Sequence, residues 1–237
     1  MMQELPLTDA AKRYTARDGA YLKESGGKWH LDDSPFKAAQ VLKMLDRNKI
    51  RPLSVVEIGS GAGGILANLA KEMGPETTFT GYDISPDAHA LSKQFESENV
   101  RSVLGEPWDK PRADLVLAMD VIEHIEDCFG FLRKVRQQGD YKIYHIPLDI
   151  HCSAALRDSF MNAWHSVGHI HVFSRSIAMQ MLRDTGHEIL DWFYTPGALA
   201  LGKFRFKTFL ANIPRRILPQ SLAARLLGGF PLLVLAR

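Results

Sequence analysis

Apolar residues along this chain switch repeatedly between two spacings, and the switches outline a fold. Residues 34–48 place Phe36, Ala39, Val41, Leu42 and Leu45 at helical intervals, with Ser34 as cap and Pro35 in the first turn. Leu53, Val55, Val56 and Ile58 then form a short apolar run, which predicts a buried strand over 53–58. Four glycines (Gly59, Gly61, Gly63 and Gly64) cut that run, and Ile65, Leu66, Leu69 and Ala70 resume helical spacing. The predicted helix spans 63–73 and closes at Gly74-Pro75. A second strand, 77–82, ends on Asp83, and Ser85-Pro86 opens another helix. Further strands are predicted at 100–104, Ala113–Met119, Tyr141–Ile146, 187–194 and Pro231–Ala236. Helices fall near 129–138 and at 174–185, the latter capped by Ser174 and stopped by Gly186.

Strands and helices that alternate at these lengths imply an α/β, doubly wound sheet, mostly parallel, with helices on both faces. Right-handed crossovers then put a ligand crevice at the carboxyl ends of the strands. Asp83, Glu106 and Asp120 each follow such an end. The pattern divides the chain into an N-terminal helical cap segment (1–50), a core (51–195), an insert (196–229) and a closing strand (230–237).

Composition changes little in this picture. At 237 residues, 46% hydrophobic and 24% charged, the chain suits one large domain with appendages. No apolar run reaches the ~20 residues of a membrane span. The N-terminus lacks a basic leader before an apolar core, so a secretory signal is not expected. Cys128 and Cys152 form neither metal-type spacing nor a disulfide framework, which fits a reducing cytoplasm. Charge is more informative. Asp191 is the last acid, and Lys203, Arg205, Lys207, Arg215, Arg216, Arg225 and Arg237 follow it, so the net +2 hides a basic tail. Phe204, Phe206, Phe209, Leu210, Ile213, Ile217 and Leu218 interleave with these cations, the composition of a substrate lid or a weak membrane-surface contact through 203–218. Pro214 and Pro219 argue against one continuous amphipathic helix, and a solvated basic face is the plainer reading.

The glycine junction carries the chemistry. Glycines at a strand–helix turn let backbone approach a ligand where a Cβ would collide, and the helix N-terminus behind them offers unpaired N–H groups. Gly59, Gly61 and Gly64 satisfy the dinucleotide pattern, and Asp83 lies where a ribose-binding acid is expected. Yet Glu57 leads the loop, and a pyrophosphate has no use for a carboxylate there. A cationic ligand end does.

Four blocks in register resemble class I S-adenosylmethionine (SAM) methyltransferases of the small-molecule type. They are Val-Val-Glu-Ile-Gly-Ser-Gly-Ala-Gly (55–63), Gly-Tyr-Asp-Ile-Ser (81–85), Gly-Glu-Pro-Trp (105–108), and Ala-Asp-Leu-Val-Leu-Ala-Met-Asp-Val-Ile-Glu-His-Ile (113–125). Residues 29–37 also look similar to uncharacterised bacterial members. The resemblance implies a seven-stranded sheet of order 3-2-1-4-5-7-6 with the last strand antiparallel, and SAM as cofactor. It implies that Glu57, Gly59, Ser60, Gly61 and Gly63 form the cofactor loop, and that Asp83 accepts both ribose hydroxyls. Ile84 would pack on the adenine, and Glu106 would stand near its amino group where the family usually has Asp. Trp108 would stack beside it, and Asp120 and Val121 would line the methionine end.

Methyl transfer needs alignment more than acid–base help, although an oxygen acceptor can require a base. His124 and His151 are the expected catalytic candidates, with His145, His169 and His171 behind them. Asp120, Glu123 and His124 resemble a cation set of some quinone O-methyltransferases. Consecutive Glu and His side chains diverge on most backbones, however, so no metal ligand is assigned. The expected activity is SAM-dependent transfer to an oxygen, or second a nitrogen, of a small or carrier-bound acceptor. An NAD(P) oxidoreductase is the first rival; it lacks support because no Tyr-x-x-x-Lys occurs. An RNA methyltransferase using the basic tail is the second. Base-directed enzymes resemble Asn/Asp-Pro-Pro-aromatic after strand four, and here the chain has Asp120-Val-Ile-Glu.

Overall fold

A computed structural model describes residues 12, 14–15, 31–200 and 213–237. Seven strands form one sheet: β1 (Ser54–Ile58), β2 (Thr78–Asp83), β3 (Val100–Leu104), β4 (Ala113–Met119), β5 (Gly139–Ile146), β6 (Ile189–Tyr194) and β7 (Leu232–Ala236). Their order is β3-β2-β1-β4-β5-β7-β6. The first five pair in parallel, and β7 runs antiparallel to both β5 and β6.

Strands at the centre of the sheet are apolar at successive positions because both faces are covered. In β4, Leu115 and Leu117 point to one core, and Val116 and Ala118 to the other. The first core is roofed by α1 (Ser34–Asn48) and α2 (Gly64–Met73) through Val41, Met44, Leu45, Leu66 and Leu69. The second is covered by α4 (Cys128–Gln137) and α7 (Arg175–Asp184) through Leu132, Val135, Ala178 and Leu182. Between them along the chain lies α3 (Pro86–Ser92), which Ser85 caps by accepting from Ala88 N–H.

The N-terminal helix is part of the sheet's packing. α1 lies on α2, and its Arg47 and Asn48 donate to Asp191 of β6. Its cap differs from the sequence expectation. Ser34 sits inside the helix and is buried, and Asp33 precedes it at the end of a 3-10 turn (Leu31–Asp33). The reason is packing: a Cβ on Gly64 would meet Ser34 Oγ at 2.5 Å, so Ser34 fits against the glycine of α2.

Two short helices that the sequence did not announce, α5 (Cys152–Leu156) and α6 (Phe160–Val167), lie between β5 and α7. In the insert, α8 (Gly197–Ala200) and α9 (Gln220–Leu227) are described. Arg215 closes α9 by donating to Leu227 O and Gly228 O. Most of the aromatic and basic stretch proposed as a lid or surface contact, 201–212, lies outside the described residues. No helix among the described residues is long and apolar enough to cross a membrane.

Candidate active site

β1 ends at the glycine loop, and the loop's shape explains its composition. Gly59, Gly61 and Gly63 have φ of 73°, 54° and 79°, the left-handed region that side chains resist. Gly59 is also crowded, since a Cβ there would lie 2.6 Å from Val121 Cγ2. Gly59 N–H and Ser60 N–H both donate to Tyr82 O, which anchors the turn to the end of β2. Asp83 completes the anchor: Oδ2 accepts from Gly61 N–H at 2.7 Å and Oδ1 from Ser85 N–H at 2.8 Å. Burial raises the Asp83 carboxyl above its usual value even though these backbone donors oppose the shift.

Glu57 lies beneath the loop, 1% exposed. Its Oε2 has no hydrogen-bond partner among the described residues. Burial pushes its pKa up to about 8, against the opposing pull of Lys37 and with help from Asp83. A cation placed beside that carboxyl would favour its ionised form.

At the end of β4, Asp120 adopts φ 57°, unusual for a residue with a side chain. Its carboxylate lies between His145 Nδ1–H (2.6 Å) and Lys37 Nζ (2.8 Å), and Lys37 also reaches Asp33 at 3.0 Å. Burial alone would raise the Asp120 carboxyl, but His145 and Lys37 outweigh it and hold it well below the usual carboxylate range. Burial would likewise lower Lys37, and Asp120 and Asp33 reverse that shift. His145 Nε2 continues the chain of contacts to Thr195 Oγ1 at 2.9 Å.

These parts face one cavity of about 680 Å³ at the carboxyl ends of the strands. One side is the glycine loop with Glu57, Asp83 and Ile84; α1 contributes Lys37 and Phe36. Opposite stand Asp120, Val121, Glu123, His124 and His169. Glu123 is fully buried, and burial, reinforced by the charges of Asp120 and Asp149, raises its carboxyl well above the ordinary value.

A family model described as "Methyltransferase domain" matches residues 29–191. The chain belongs to this family. The methyltransferase also shares its fold with solved relatives. A magnesium protoporphyrin IX methyltransferase from Synechocystis PCC 6803, solved with S-adenosylhomocysteine (SAH), superposes with a TM-score of 0.60 at 14% identity, covering 96% of this chain and 92% of that one. A SAM-dependent methyltransferase from Thiobacillus denitrificans, also with SAH, gives 0.60 at 13% identity over 94% of this chain and 98% of that one. One from Aquifex aeolicus gives 0.59 at 14% identity, with 90% and 96% covered. Among curated proteins, norajmaline N-methyltransferase of Rauvolfia serpentina is 28% identical over 108 residues, 42% of this chain. The match spans 36% of that relative's length. The family and the strand order are thus those the resemblance implied.

The structure of the methyltransferase places the expected site residues unevenly. Glu57, Gly59, Ser60, Gly61, Asp83, Ile84, Asp120, Val121 and His124 line the cavity. Gly63 is the N-cap of α2 behind the loop. Glu106 is exposed and outside the lining, and Trp108 turns its ring edge-on to Phe131 with Lys134 over it. His151 caps α5, its Nδ1 accepting from Ala154 N–H, and its ring packs against Gly228. His171 is not part of the lining; its Nε2 donates to the backbone oxygen of Glu126, which is.

Lys37, Asp33 and Asp149 were not singled out from the sequence. Lys37 is one of two lysines on α1, and nothing in its spacing reveals the half-buried Asp120 that it neutralises. Asp149 precedes His169 by twenty residues, and only the path of α5 and α6 brings them together.

Proposed function

We propose that this methyltransferase transfers the methyl group of SAM to an oxygen of a small or carrier-bound acceptor by in-line displacement. The observation that carries the oxygen reading is the cavity wall formed by Glu123, His124 and His169. An oxygen acceptor must lose a proton as it is methylated, and this wall concentrates groups able to receive or offset one. His169 is backed by Asp149, whose Oδ2 lies 2.8 Å from Nδ1, and its Nε2 turns toward Glu123.

The cofactor supplies a methyl group already activated on a sulfonium centre. The residues present suit it. The left-handed glycines leave its loop without Cβ atoms at the crowded point, and Asp83, ordered by two backbone donors, keeps lone pairs for ribose hydroxyls. Ile84 and Val121 offer apolar contact, and Glu57 an unpartnered oxygen for the cationic amino-acid end. The Lys37–Asp120 ion pair lines the same cavity. Catalysis on this reading is alignment first: acceptor and methyl held at about 3–3.5 Å in line.

The test is transfer from methyl-labelled SAM to a panel of hydroxyl- and amine-bearing acceptors, with each product identified. Labelled ethers or esters are the expected result. The nitrogen reading draws on the Rauvolfia relative, an N-methyltransferase. Labelled amines without labelled oxygen products would overturn the oxygen assignment.

A further inference from the structure

We propose that Glu123, His124 and His169 form a divalent-metal site in the wall of the cofactor cavity, taking a late first-row ion such as Zn2+ through one carboxylate oxygen and two imidazole nitrogens. The three ligand atoms lie within 4.8 Å of one another. Glu123 Oε1 is 3.8 Å from His124 Nε2 and 4.0 Å from His169 Nε2. Bonds of about 2.1 Å in a tetrahedron hold ligands roughly 3.4 Å apart, so side-chain adjustments of under about an ångström close the set.

The imidazoles are oriented for it. His124 Nδ1 lies 2.9 Å from Gly168 O, with Tyr14 Oη at the same distance, and His169 Nδ1 lies 2.8 Å from Asp149 Oδ2. A carbonyl and a carboxylate only accept, so each Nδ1 carries the hydrogen. That tautomer makes Nε2 the basic atom on both rings, on the side of Glu123. Metal-bound histidines are held this way, by an outer carboxylate or carbonyl.

Glu123 supplies an independent observation. It is 0% exposed, and neither of its oxygens has a hydrogen-bond partner among the described residues. A buried carboxylate without a partner is costly, and a cation is the partner that two converging imidazoles imply. The expected divergence of adjacent Glu and His side chains fails here: both lie on a 3-10 turn (Ile122–His124), and Glu123 Oε1 still lies 3.8 Å from His124 Nε2. Asp120 is outside the set, since both of its oxygens are held by His145 and Lys37. Two imidazoles with one carboxylate favour zinc, cobalt or iron over magnesium or calcium. Three protein ligands leave a position open, where an acceptor hydroxyl would become more acidic.

The site deepens the oxygen-acceptor reading, but its test needs no acceptor. The full chain, free of any affinity tag and stripped with a chelator, is titrated with Zn2+ by calorimetry and with Co2+ by visible d–d absorption. One equivalent per chain and a ligand-field spectrum are expected. Glu123→Gln and His169→Ala should each weaken binding at least a hundredfold, and Asp149→Asn by about 10- to 100-fold. Cys152→Ser, which alters an exposed thiol elsewhere, should leave binding unchanged. Melting curves and SAH binding establish that each variant is folded. Absence of stoichiometric binding, or undiminished binding in folded Glu123→Gln and His169→Ala, would overturn the site. Metal binding as expected together with amine-only methylation would fault the acceptor reading alone.

Discussion

Glu57 is where folding and ligand binding pull in opposite directions. Burial holds its carboxyl neutral up to about pH 8, whereas an ordinary glutamate ionises near 4.5. The folded chain therefore holds a proton that the unfolded chain has released, and stability falls as pH rises between those values. The contribution is full below 4.5 and lost as pH passes through about 8. Melting of the ligand-free protein across this range should thus decline more steeply for wild type than for Glu57→Gln, which cannot ionise. Parallel curves would contradict the assignment. Glu57 was legible in the sequence because an acid immediately before a glycine loop has few structural reasons to be there. The same logic found Asp83. It missed Lys37 and Asp149, whose significance exists only in the partners that the fold brings to them.

The strand–loop–helix unit from β1 to α2 shows how an element can be read almost completely from sequence. Its glycines are needed for different reasons. Gly59, Gly61 and Gly63 supply left-handed backbone, whereas Gly64 makes room for Leu31 and Ser34 of the N-terminal segment. Gly64, the third glycine of the dinucleotide pattern, thus serves close packing, as that position does in the pattern itself, and it also borders the cavity. Gly59→Ala would combine a left-handed cost of about 1–2 kcal/mol with a clash against Val121. A melting temperature lower by roughly 2–4 °C per kcal/mol is expected, together with weakened SAH binding. A variant as stable as wild type would show that the turn is less constrained than its geometry indicates. By contrast, α5 and α6 were missed. α5 spans only five residues; α6 does place Phe160, Ala163, Trp164 and Val167 at helical spacing, but it is short and none of its residues is buried. Ser34 was misplaced as a cap because its hydroxyl is used in packing against Gly64, a long-range contact that capping rules do not contain.

For the whole molecule, alternation of strand and helix was enough to predict the class of fold and the edge on which ligands gather. The reversed direction of β7 was not visible in hydrophobicity, since its five residues are apolar whichever way they run. It came from the resemblance, and the sheet has that order. The cavity at the carboxyl edge depends on pieces from widely separated parts of the chain: α1, the ends of β1, β2 and β4, and the segment around His169. That convergence is what the proposed SAM site rests on, and one titration tests it most directly. SAH is titrated calorimetrically into wild type and into Asp83→Ala. One site per chain is expected, with affinity at least tenfold weaker in the variant, because a charge-assisted contact and a loop anchor are lost together. No binding to wild type, or equal affinity in the two proteins, would contradict the account.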